Sequence, residues 1–152
     1  MHNHHYRSLL VMTVLSFISM YILMYAMVDV FANVYSSINQ VYMAALMTAP
    51  MVLIELAVMR SMYKNARANI AIAAVSIVAL IAFFAAIRQQ TLVTDTQFLR
   101  SMIPHHAGAI LMCEEAPIEG AEIKALCASI IEGQRSEIAQ MKTLLDRTSN
   151  SP

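Results

Sequence analysis

The sequence predicts an all-α protein: three membrane-spanning helices followed by an antiparallel helical hairpin outside the bilayer. Three observations carry that expectation. Three apolar runs each approach the ~20 residues that a helix needs to cross a membrane. Of the 152 residues, 59% are hydrophobic and only 13% are charged, the latter about half the usual share. Beyond Arg88 the chain turns amphipathic, with "PIEG" at 117–120 separating two helical patterns.

The elements follow in order. Residues 1–7, "MHNHHYR", form a His-rich cytoplasmic N-terminus. His2, His4 and His5 are candidate ligands for Cu(II), Ni(II) or Zn(II), although a floppy polar terminus is the plainer reading. The three-span membrane region covers 8–90. Its first run, 8–28, carries no charge; the second, 41–59, is interrupted only by Glu55; the third is 70–87. The first run is too long for a signal peptide, and no small-residue cleavage site follows it. The 29–40 loop has no basic residue, whereas the 60–69 loop has Arg60, Lys64 and Arg67. The basic loop belongs in the cytoplasm, so the N-terminus is cytoplasmic and the C-terminal part lies outside. In a bacterium this describes an inner-membrane protein with a periplasmic hairpin.

The hairpin is expected over 91–148, with a disordered tail at 149–152. Asp95 is the expected N-cap of its first helix, Pro104 a kink or restart, and Ala121–Leu145 the second helix. Ile103, Ile110, Leu126, Ile130, Ile131, Ile138 and Leu145 ask for more cover than one hairpin supplies. Self-association, as a homodimer, or packing on another protein is therefore expected.

Candidate metal ligands concentrate in this hairpin. Met102, His105 and His106 share a helical face, since Met102 stands three and four residues before the two His. Adjacent His residues diverge by about 100°, so they flank one ion or serve two. Gln134, Glu137 and Met141 share a sector of the second helix. With the turn at 117–120, position 102 falls opposite roughly 135, which sets the His pair against Gln134 and Glu137. Thioethers favour Cu(I) and imidazole accepts copper of either valence, so a mixed Met/His set points to copper over zinc, iron or calcium. Glu137 or Gln134 then ligates directly or orients a His. Against this stands the plain alternative of a capping His and Met as core filler.

"FLRSMIPHHAGAILM" followed by "EIKALCASIIEGQRSEIAQMK" resembles the family called domain of unknown function 305, over about residues 95–145. That resemblance implies a ferritin-like fold of helical hairpins in a four-helix bundle. It also implies copper binding and copper resistance in the bacterial periplasm, with Met102, His105, His106, Gln134, Glu137 and Met141 at the motif positions. Many members carry two such hairpins and this chain carries one, so the hairpin would be half of a bundle completed by a second chain. The three-span anchor is not part of the family's core motif.

Other features carry weaker signals. Cys113 and Cys127 sit on opposite arms; the assumed register offsets them by about three residues, near the ~7 Å limit for a disulfide, so bridge and free thiols stay open. As thiolates they would form a second Cu(I) site with Met112. Met47, Met51 and Glu55 form an intramembrane candidate set, with packing by flexible Met as the plainer reading of the thioethers. Glu55 lies near the cytoplasmic end and can snorkel toward Arg60. Zero net charge argues against nucleic acid as a partner. No Glu-x-x-His, P-loop or dinucleotide fingerprint is present, so no catalytic residues are assigned. The expected function is copper tolerance, storage or handover to a delivery or acceptor protein. The alternatives are an assembly partner of another membrane protein and, third, a ferritin-like metal oxidase.

Overall fold

The computed structural model describes residues 2–149; the rest of the expected tail, and the side chains of His2, Asn3 and Ser149, lie outside the described residues. Among the described residues there are five α-helices and no strand: α1 (His2–Leu23), α2 (Ile38–Val58), α3 (Ala66–Gln89), α4 (Asp95–Glu115) and α5 (Ala121–Ser149). The chain divides into two compact units.

The first unit comprises the chain up to Met24 together with Asn39–Thr91. Its three helices, α1 to α3, are long and apolar enough to cross a membrane. Leu9, Val52, Leu56 and Tyr63 make a small core. The outward faces stay apolar: Ile54, Val75 and Ile81 are each more than 60% exposed. Water would penalise such faces, and lipid would not. Contrary to the expected floppy terminus, α1 already runs through His4, His5 and Tyr6. The cause is local tethering. Ser8 Oγ donates to His4 O at 3.0 Å, and Tyr6 Oη donates to Asn69 Oδ1 at 2.8 Å. Asn65 caps α3, its side chain accepting from Ala68 N at 3.1 Å. Gln90, in the left-handed region with φ 51°, ends it.

The second unit contains α4 and α5 and also the segment Tyr25–Ile38, which the sequence assigns to the membrane region. Leu99, Ile103, Ala107 and Ile110 of α4 pack on Ile138, Met141 and Leu145 of α5. Val28 and Tyr35 pack against this cluster from the upstream segment. The segment is pinned at several points. Ile38 N donates to Gln97 Oε1 at 2.8 Å, and Tyr25 Oη donates to Tyr35 O at 2.9 Å. A Cβ at Gly108 would sit 3.3 Å from Met27 O, so glycine is what lets the two backbones approach this closely. Part of the missing cover for the hairpin is thus supplied by the chain itself.

Local details differ from the expectations. Thr94, not Asp95, is the N-cap of α4, its side chain accepting from Gln97 N. Pro104 sits inside α4 without interrupting it. The helix loses one backbone hydrogen bond there, but buried Ile103 and Ala107 on either side hold it to the core. Leu126 is 59% exposed and Ile130 and Ile131 are half-buried, so the core occupies the part of the hairpin away from its tip.

Candidate metal centre

The α4–α5 interface brings part of the predicted ligand set together. His106 Nδ1 lies 2.9 Å from Glu137 Oε2. The two atoms are at ion-pair distance, yet Nδ1 is buried and makes no hydrogen bond. Gln134 Oε1, one turn away on α5, is likewise buried with no hydrogen-bond partner. Leaving such atoms unsatisfied costs about 1–3 kcal/mol each. Glu137 itself is 54% exposed, so the site is buried on its imidazole side and open on its carboxylate side.

The thioethers stand to one side of this pair. Met102 is one turn before His106 on α4, and Met141 one turn after Glu137 on α5. In an antiparallel hairpin both steps run the same way along the axis. Met141 is 8% exposed within the core, and Met102 packs against that core. The bridged pair Cys113 and Cys127, with Cα atoms 5.2 Å apart, sets position 102 level with about 138, against the expected 135. Side chains lean toward the N-terminus of their own helix, so contacting pairs lie further along both arms than backbone level suggests.

His105 separates from the set. It is exposed, with its ring centroid 6.3 Å from that of His106, as the 100° divergence of neighbours requires. Among the described residues no three of His, Cys, Asp and Glu gather as a metal-binding group. Any ion held here therefore depends on the mixed set of one imidazole, one carboxylate, one amide and two thioethers. That set fits a soft or borderline ion on chemical grounds.

The other candidates resolve differently. Cys113 and Cys127 form a disulfide, with Cα atoms 5.2 Å apart. In that form neither sulfur is a thiolate, and the three-residue offset assumed from the sequence does not prevent the bridge. Met112 is 54% exposed. Glu55 accepts from Tyr63 Oη at 3.1 Å, in place of the expected approach to Arg60. Burial, followed by this hydrogen bond and the charge of Glu55, pushes the Tyr63 phenol above its ordinary pKa. Met47 is 42% exposed, whereas Met51 lines a cavity of about 800 Å³ with Met12 and Met20 of α1. Met47, Met51 and Glu55 thus meet three different surroundings along α2. Arg100 Nε on α4 is a further buried atom without a hydrogen bond, a feature the ligand pattern did not flag.

Comparison with known proteins adds a family. The model of a family described as Domain of unknown function (DUF305) matches residues 82–145. A curated relative, Uncharacterized protein L153 of Acanthamoeba polyphaga mimivirus, is 31% identical over 144 residues, covering 91% of each chain. That similarity extends through the membrane-type helices as well as the hairpin. No solved structure matches. The chain belongs to the DUF305 family.

Proposed function

We propose that this DUF305 member is a membrane-anchored copper-binding protein that holds the ion between the arms of its hairpin, on the face of the membrane away from the cytoplasm. The observation that carries the reading is the facing of His106 Nδ1 and Glu137 Oε2 at 2.9 Å without a hydrogen bond. Two electron-rich atoms that close need a proton or a metal ion between them. Gln134 Oε1, also without a hydrogen bond, offers a further oxygen. Met102 and Met141 supply the soft donors that favour Cu(I). His105, exposed beside the site, is suited to capture an ion from solvent and pass it inward. Bound copper here serves tolerance, storage or handover; no bond-making chemistry is assigned to the chain, and a metal oxidase is not proposed.

The placement outside rests on charge and parity. Arg60, Lys64 and Arg67 sit on the α2–α3 side, which the positive-inside rule assigns to the cytoplasm. Two crossings, α2 and α3, separate Tyr25–Ile38 from the hairpin, so both emerge on the same side. Their union in one compact unit agrees with that. In a bacterium the site would face the periplasm. Ile123 and Leu126, exposed by more than half, leave an apolar stripe near the hairpin tip. A second copy covering it would complete a ferritin-like four-helix bundle.

The test is Cu(I) affinity of the full chain in detergent, by anaerobic competition with a chromophoric chelator. Met102→Leu keeps the packing volume, removes the sulfur and weakens Cu(I) selectively. His106→Ala weakens both valences, and His105→Ala slows capture more than it lowers affinity. A folded double-His variant that binds copper as tightly as the parent would overturn the assignment. Crosslinking that finds only monomer at high concentration would overturn the homodimer.

A further inference from the structure

We propose that the Cys113–Cys127 pair is a second, redox-gated copper site: bridged, it holds no metal, and reduced, it holds one Cu(I) between two thiolates. The inference rests on the copper reading above for its ion, but on different atoms. The bridge joins the last turn of α4 to the first turns of α5, with Cα atoms 5.2 Å apart. Both sulfurs therefore converge on one point between the arms, which is what two-coordinate thiolate binding of a soft ion requires.

The pair is reachable. Both residues are half-buried, and a cavity of about 280 Å³ opens beside them, lined also by Ala116, Ile118, Lys124 and Ile131. A small dithiol entering there attacks one sulfur as its thiolate and forms a mixed disulfide. Its second thiol then displaces the chain's sulfur. The dithiol leaves as its own disulfide, and the chain gains two electrons and two protons as two thiols. Cu(I) next replaces both protons, and the resulting bis-thiolate complex carries one negative charge. Lys124 shares the cavity; its ammonium opposes that charge and favours the thiolate form. Met112, by contrast, is absent from the lining, as a neighbour turned about 100° away must be.

Reduction leaves the fold's main support in place. Ile103, Ile110 and Ile138 make the core without the cysteines, and Cys113 lies two turns, about 10 Å, along α4 from His106. The two sites are thus independent in their ligands. In an oxidising setting only the His106 centre would be available. Exposure to a reductant would open the second, doubling the copper capacity of the chain.

The experiment is copper stoichiometry of the full chain in detergent, anaerobically loaded with Cu(I), before and after reduction by a phosphine that is then removed. One Cu(I) per chain is expected in the bridged form and two after reduction, with near-unchanged helicity. The Cys113→Ser/Cys127→Ser double variant is expected to hold one in either condition. Lys124→Gln is expected to weaken only the second ion, by about fivefold, the scale of a partly exposed charge pair. An unchanged count on reduction, a second ion retained by the double Ser variant, or one ion shared between two chains would each overturn the proposal. A bridged chain that binds no copper while the reduced chain binds one would instead remove the His106 reading and leave this one standing.

Discussion

Replacing His106 by Leu separates the metal from the fold. In the metal-free chain the imidazole is a liability: Nδ1 is buried and makes no hydrogen bond. Removing it relieves a penalty of about 1–3 kcal/mol. The approach to Glu137 is lost at the same time, but that carboxylate is more than half exposed, and pairs of that kind contribute about 0–1 kcal/mol. The metal-free variant should therefore be as stable as the parent or more stable by roughly 1 kcal/mol. With copper the order reverses. An ion at a free concentration 100 times its Kd stabilises the parent by about 2.7 kcal/mol, and the variant gains none of this at the same concentration. The assay is urea unfolding of the full chain in mild detergent, followed by far-ultraviolet circular dichroism, with and without anaerobic Cu(I). A variant less stable than the parent without metal, yet stabilised equally by copper, would refute the reasoning. It would mean that His106 is a packing residue and that the ion sits elsewhere.

Ile103→Ala should destabilise the hairpin by about 2–5 kcal/mol, because Ile103 is fully buried. Leu126→Ala in the monomer should stay within about 0.5 kcal/mol; equal losses at both positions, read by urea unfolding, would contradict the packing described. A C-terminal alkaline phosphatase fusion should be active, and a green fluorescent protein fusion exported by the general secretory route dark; the reverse pattern would put the hairpin in the cytoplasm. Tyr63 has a raised pKa from burial and from Glu55, so the fold protects its neutral phenol. That contribution is fully present below the ordinary phenol pKa and is lost as pH rises through the raised one. Ultraviolet titration of the six tyrosines should show a late-titrating phenol that Tyr63→Phe removes.

The helices were legible because their signals are one-dimensional. An uncharged run such as 70–87 needs no partner to be read as a membrane-length helix, and α3 duly covers it. The convergence of His106 with Glu137 was legible for a related reason: a short connection forces α4 and α5 to run antiparallel, and a helical face can be counted from residue numbers. What escaped depends on distant sequence. Nothing in Val28 or Tyr35 announces that they will cover a core some seventy residues later. Nothing in Asn69 announces that it will tether Tyr6 and turn the N-terminal residues into helix. The exposure difference between His105 and His106 follows from neighbour divergence, and which of them turned inward was set by the rotation that buries Ile103, Ala107 and Ile110. The register of the two arms differs from the expected one by about three residues at the bridged pair, because the path of the connection at 116–120 is not counted from residue numbers alone. The state of Cys113 and Cys127 lay within the same uncertainty of a few residues.

The joining of Tyr25–Ile38 to the hairpin has a consequence in time. This segment is synthesised before α2 and α3, while the arms it covers come after both. At roughly 5–20 residues per second, it would wait about 5–20 s for α5 to be completed. During that interval Val28 and Tyr35 have no core to meet, and the finished hairpin in turn is incomplete without them. If α2 and α3 cross a membrane as their length and composition allow, folding of the second unit is deferred until both have crossed. A chain that inserted α2 and α3 wrongly would strand the two pieces on opposite faces and never assemble the centre. Under the proposed reading, copper loading would then report on correct insertion of the whole protein, and a fragment beginning at residue 92 would lack part of the hairpin's cover.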